Sequence, residues 1–152
     1  MDFSRVERGE WIAILGGLLL AGSVFLSWYG LKVNGAVGDV TGPADLTGWE
    51  AHPTMRWLLI AAALAPLILA WIVANDHALS WPRGEVTMVV AIAAFGLVGY
   101  SGLIDRPGDS NSLISIRFGW VLAFLGPILM LAGSIMRQNE TGGRRRKPPG
   151  TL

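Results

Sequence analysis

The chain of 152 residues contains no cysteine. Disulfide bonds, thiolate metal sites and cysteine nucleophiles are therefore excluded together. Charge is scarce as well: Asp, Glu, Lys and Arg make up 15% of the residues, against about 25% in soluble domains. His52 and His77 are the two histidines. Four long stretches contain no Asp, Glu, Lys, Arg or His. Ionisable groups inside a membrane mark proton relays, ion paths and charged-substrate sites, so this chain is not expected to act alone as a proton-coupled pump or ion carrier. No catalytic motif stands out, and neither a cofactor nor a metal is expected.

What fills the chain is apolar. Hydrophobic residues make up 52%, and the mean hydropathy is +0.48. The uncharged stretches lie at 11–29, 57–74, 86–104 and 118–136. A hydrocarbon core of about 30 Å needs roughly 20 helical residues to cross. None of the four has the polar face of a soluble bundle helix. The expected fold is all-α: a four-transmembrane-helix bundle over residues 1–137, then a flexible basic tail over 138–152. The first stretch is longer than the apolar core of a signal peptide, about 7–15 residues, and reads as a retained signal-anchor helix.

Four crossings place both ends on one side, and the basic residues indicate which. Arg5, Arg8, Arg83, Arg137, Arg144, Arg145, Arg146 and Lys147 fall on the side of the termini; Lys32, Arg56, Arg106 and Arg117 fall on the other. The positive-inside rule makes both termini cytoplasmic in a plasma-membrane protein. Trp11, Trp28, Tyr29, Trp49, Trp57, Trp71, Trp81 and Trp120 sit at or near expected span ends or in the outer loop, where amphipathic rings anchor at headgroup level. Arg144, Arg145, Arg146 and Lys147 are expected to contact anionic lipid headgroups. No folded module accompanies that basic run, so nucleic acid is not expected as a partner.

The second and fourth stretches share a pattern. Arg56-Trp57 and Arg117-Phe118 each precede a proline ten positions after the arginine, Pro66 and Pro127. Either duplication of a helical hairpin or the narrow residue repertoire of apolar helices produces such a pattern. Ten residues span about 15 Å, which puts both prolines near the bilayer midplane as helix kinks or as the lining of a midplane site. Rows of small residues (Ala13, Gly17, Ala21; Ala62, Pro66, Ala70, Ala74; Gly96, Gly99, Gly102; Gly119, Ala123) suit close helix packing.

The outer loop, 31–55, carries Asn34-Gly35, a hairpin signal. It also carries Thr47-Gly48-Trp49-Glu50, the spacing of a capping box. Glu50, His52, Arg56, Asp105, Arg106, Asp109 and Arg117 share the outer rim. His52 with Glu50 or Asp105 offers an acid–base pair or a metal site, but without diagnostic spacing; a solvated rim explains the same charges.

Four spans, a tryptophan after the first and Gly48-Trp49 in the outer loop resemble claudins, but the cysteine pair of that family is missing. A fuller pattern resembles uncharacterised small four-helix membrane proteins of actinobacterial type. It comprises Trp28-Tyr29 closing the first span, Gly48-Trp49-Glu50 before the second, Leu103-Ile104-Asp105-Arg106-Pro107-Gly108 after the third and Arg117-Phe118-Gly119 opening the fourth. That resemblance covers most of the chain and implies no known activity. The expected role is non-enzymatic: an accessory or scaffolding protein in the bilayer, with a membrane-protein partner or as a homo-oligomer. The alternative is a small transporter or lipid-binding protein for a neutral, apolar ligand.

Overall fold

The computed structural model describes residues 7–31, 45–75, 83–106 and 114–145. Four long helices pack side by side: α1 (Arg8–Val24), α3 (Met55–Ala74), α4 (Arg83–Leu103) and α5 (Phe118–Arg145). A short helix α2 (Gly48–Ala51) and three strands, β1 (Ser27–Leu31), β2 (Asp45–Thr47) and β3 (Ile114–Ile116), cluster where α1 and α4 end and α3 and α5 begin. Three helices are long and apolar enough to cross a membrane: Met55–Ala74, Gly84–Leu103 and Phe118–Asn139. The 17-residue α1 is shorter.

The fold is mostly helical, but the strands correct the all-α expectation. They form one antiparallel sheet in the order β2-β1-β3. The first apolar stretch does not continue as a helix to Tyr29. It leaves the helix after Val24, and Ser27–Leu31 becomes the central strand. At the other extreme, α5 runs through Arg145, beyond the expected end of its span and into the tail expected to be flexible.

The helices pack in the neighbour pairs α1–α5, α4–α5, α1–α3 and α3–α4, with α1–α5 the largest contact. Glycines allow that contact. A Cβ at Gly16 would lie 2.6 Å from the Gly126 carbonyl oxygen, and one at Gly9 would lie 2.6 Å from the Gly133 carbonyl oxygen. Both pairs are antiparallel partners, and in each helix the two glycines are seven residues apart. Their spacing brings the backbones together at two successive levels, as small residues do in membrane bundles. Gly17 meets Ala63 and Pro66 of α3 in the same way. A Cβ at Gly96 would meet no other element within 4 Å, and the residue lies exposed, so the expected row on α4 is not a continuous packing seam.

The core runs from the sheet into the bundle: Trp28, Tyr29, Leu20, Val24, Leu59, Ala63, Ala91, Ala94, Val98, Ile114, Ala123 and Met130. Pro66 and Pro127 are both buried inside their helices. Leu15, Leu18, Leu58, Leu64, Ile68, Val89, Ile92, Val121, Leu125 and Ile135 point outward from all four long helices. Water-exposed patches of that extent are rare on soluble monomers, whereas lipid accepts them.

Candidate functional site

Polar chemistry gathers beneath the sheet. In a regular strand, successive side chains face opposite sides, yet Trp28 and Tyr29 are both buried, at 0% and 1% exposure. The register explains this. Ser27 pairs with Thr47 and Tyr29 with Leu46, so Trp28 is an inserted bulge residue on β1. A bulge re-aims one side chain, and here both aromatic rings turn into the molecule. Trp28 donates its Nε1–H to the Ser23 carbonyl at 2.7 Å. Its ring also lies so close to Gly48 that a Cβ there would be 2.5 Å from Cε2. The opening glycine of α2 is therefore a seat for the indole.

Tyr29 donates its hydroxyl proton to the Ser101 carbonyl at 3.0 Å, and His52 Nε2 lies 3.0 Å from the Tyr29 phenol oxygen. A phenol has one proton. With that proton on a carbonyl acceptor, His52 donates, and neutral His52 carries its hydrogen on Nε2. Burial pushes the Tyr29 phenol above its ordinary value, with Asp105 adding to the rise; the Ser101 side-chain hydroxyl and the Arg106 charge oppose it. Burial also holds His52 below its ordinary value, against the attraction of Asp105. Arg106 donates Nε–H to the Gly102 carbonyl at 2.6 Å. The arrangement links β1, the α2–α3 junction and the end of α4 through one oxygen.

The remaining rim charges have separate tasks. Thr47 caps α2: its hydroxyl oxygen accepts from the Glu50 N–H at 3.2 Å, while Glu50 Oε2 accepts from the Thr47 N–H at 3.1 Å. This is the capping box expected from the sequence. The Thr47 backbone N–H and then its hydroxyl hold the Glu50 carboxyl below its ordinary value. Arg117 pairs with Asp45 at 3.1 Å across exposed surface, and its backbone N–H binds the Trp28 carbonyl at 2.7 Å. His52 thus faces Tyr29 and not Glu50. Among the described residues, no three His, Asp or Glu side chains converge as a metal site. Asp109, His77, Trp81, the Asn34-Gly35 turn and Lys147 lie outside the described residues, as does Arg146.

The aromatic residues divide into two groups. Trp11, Trp57 and Trp71 project outward near helix ends. Trp28 and Tyr29 do not. Their burial under the sheet corrects the reading of them as headgroup anchors. Trp120 is also partly inward: it donates Nε1–H to the Val98 carbonyl at 3.0 Å and stacks on Phe124 at 5.1 Å, joining α5 to α4. Trp49 stacks on Phe25 at 5.2 Å and meets Trp57 edge-on at 5.3 Å.

A second polar cluster lies toward the other end of the bundle. Glu10 of α1 and Arg137 of α5 form an ion pair, both largely buried. Glu10 also accepts from the Glu7 backbone N–H at 3.1 Å, closing the first turn of α1. Thr87, Ser134, Pro66 and Leu69 complete the wall of a small cavity there, with space of about 10 Å³, on the order of one water. Both residues lie one position outside the uncharged stretches 11–29 and 118–136. The hydroxyls of Ser23, Ser101 and Ser134 bond to carbonyls of their own helices, as expected for serines in apolar helices.

No family model, curated protein or solved structure matches the chain.

Proposed function

We propose that this chain is a multi-pass plasma-membrane protein with four crossings and cytoplasmic termini. In this reading it acts as a non-enzymatic scaffold or accessory partner, and the sheet-capped end is its working surface. The observation that carries the reading is the way a three-stranded sheet, a short helix and three helix ends are locked together around buried Trp28 and Tyr29. Such a cap holds an outer surface rigid, which suits binding by a partner that needs a fixed shape. The outward leucines of α1, Leu15 and Leu18, support a fourth crossing despite the length of the helix. The matched positions of Arg56 and Arg117, and of Pro66 and Pro127, support two hairpins of common origin. The resemblance to small four-helix membrane proteins of actinobacterial type belongs to the same proposal.

Close packing at the prolines favours this reading over carriage of an apolar ligand. Pro66 fills the space beside Gly17, and the cavity it borders accommodates about one water. An intact mass spectrum of the protein, released from mild detergent, discriminates the two. A second protein retained at fixed stoichiometry supports the scaffold. A monomer or homo-oligomer that retains one apolar small molecule overturns it in favour of carriage.

A further inference from the structure

We propose that Arg56, framed by Trp49 and Trp57, is a binding site for the phosphate of an anionic phospholipid headgroup. This site stands independently of the scaffold reading. Arg56-Trp57 opens the apolar helix α3, which places the guanidinium where headgroups lie if α3 crosses the bilayer. Its carbon Cζ lies 4.5 Å from the Trp49 ring centroid and 5.7 Å from that of Trp57. One nitrogen, Nη1, donates to the Trp49 carbonyl at 3.1 Å. These three contacts fix the guanidinium in place before any ligand arrives.

What Arg56 lacks is a counter-ion. Arg117 is paired with Asp45 and Arg137 with Glu10, but no carboxylate of the described residues pairs with Arg56. Glu50, six positions earlier, is bonded to Thr47. The first turn of α3 contains no acidic residue. The Arg56 Nε is buried and makes no hydrogen bond. That nitrogen is enclosed and out of a ligand's reach, but a guanidinium has five N–H donors, and Nη2 is neither enclosed nor hydrogen-bonded, so an anion can approach there and form a charge-assisted hydrogen bond. The surrounding surface is apolar and open: Trp57 and Phe25, both in ring contact with Trp49, are each 59% exposed. A bare cation bordered by exposed aromatic and aliphatic groups matches a molecule carrying a phosphate and acyl chains together. Free phosphate would use the cation and leave the apolar border unused. Among the described residues no carboxylate pairs with Arg56 to attract a choline or ethanolamine cation, and the guanidinium itself occupies the indole faces that could receive one, which favours an anionic headgroup.

The test uses the full chain in nonionic detergent with equal amounts of phosphatidylglycerol and phosphatidylcholine, read by native mass spectrometry. Because the tail carries four further cations, every sample bears R144Q/R145Q/R146Q/K147Q. The parent is expected to retain one phosphatidylglycerol in preference to phosphatidylcholine, and excess inorganic phosphate should not displace it. R56Q is expected to weaken that retention at least about tenfold, as loss of charge-assisted hydrogen bonds implies, and R56K to restore part of it. Equal retention of the two lipids, or full displacement by inorganic phosphate, overturns the proposal from the parent protein alone, whether or not R56Q folds. Unchanged retention in a folded R56Q also overturns it. So does loss of a co-purifying protein from R56Q with lipid unaffected, which would assign Arg56 to an acidic protein surface.

Discussion

His52 is held to Tyr29 as a neutral donor, and its burial disfavours the charged ring. Its folded-state value lies below that of the unfolded chain, so the unfolded chain binds more protons as the solution is acidified. Stability therefore falls as pH drops below the ordinary histidine value of about 6.5. The loss levels off below the folded-state value. The melting temperature in detergent is expected to decline between about pH 7 and pH 5, and H52Q should flatten the decline. Glu50 contributes in a lower window. Its depressed carboxyl stabilises the fold above its ordinary value of 4.5, and that contribution fades as pH falls through the folded value. The two titrations are thus separable in one pH series. At this scale the sequence was partly legible. The Thr47–Glu50 capping box follows from spacing alone, because both partners are three residues apart. The Tyr29–His52–Ser101 contact does not, since it joins residues 72 positions apart through a bulge that no local pattern announces. Trp28 and Tyr29 look like interfacial anchors because amphipathic rings suit both a headgroup layer and a buried hydrogen-bonded seat.

At the scale of elements, the contact between α1 and α5 rests on glycines whose missing side chains let the backbones touch. G133V is expected to force the helices apart at a cost of about 1–3 kcal/mol or more, in line with overpacking. G96L, on an open face of α4, should leave the melting temperature nearly unchanged. Equal effects of the two substitutions would mean that the α1–α5 contact does not carry stability. The Glu10–Arg137 pair bridges the same two helices one turn from Gly133. E10Q removes the Glu10 charge from the largely buried guanidinium, and breaking a buried pair from one side costs up to about 3–5 kcal/mol. E10Q/R137M should recover much of that loss in a thermal unfolding series. Hydropathy made the apolar elements visible, because lipid and helix length constrain composition so strongly. It could not place the end of α1. Phe25 to Leu31 is as apolar as the helix before it, and aromatic residues suit a strand as well as a span. The sheet was missed for the same reason. Its β2 and β3 partners are three residues each, below the length at which alternation becomes a signal. The glycine pairs were missed because their seven-residue spacing was not among the four-residue rows that the sequence displays most openly.

At the scale of the whole molecule, the absence of cysteine makes topology directly measurable. A single cysteine introduced at Gly35 should react with a membrane-impermeant thiol reagent in intact cells, whereas one introduced at Gly150 should react only after the membrane is permeabilised. Labelling of both positions from outside would overturn the four-crossing arrangement. The sheet adds a consequence for how the chain is made. Its middle strand, β1, finds β2 soon after synthesis, but its other neighbour comes much later: Gly30 and Ser115 are bonded across 85 positions. At roughly 5–20 residues per second, the ribosome needs about 4–17 s to deliver β3 once β1 has emerged. Throughout that interval one edge of β1 lacks its partner while the next two long helices, α3 and α4, are being made. Biogenesis thus has a final latch, closed only when the last hairpin arrives, and a nascent chain arrested before residue 114 would leave β1 open to pairing with another unfinished copy.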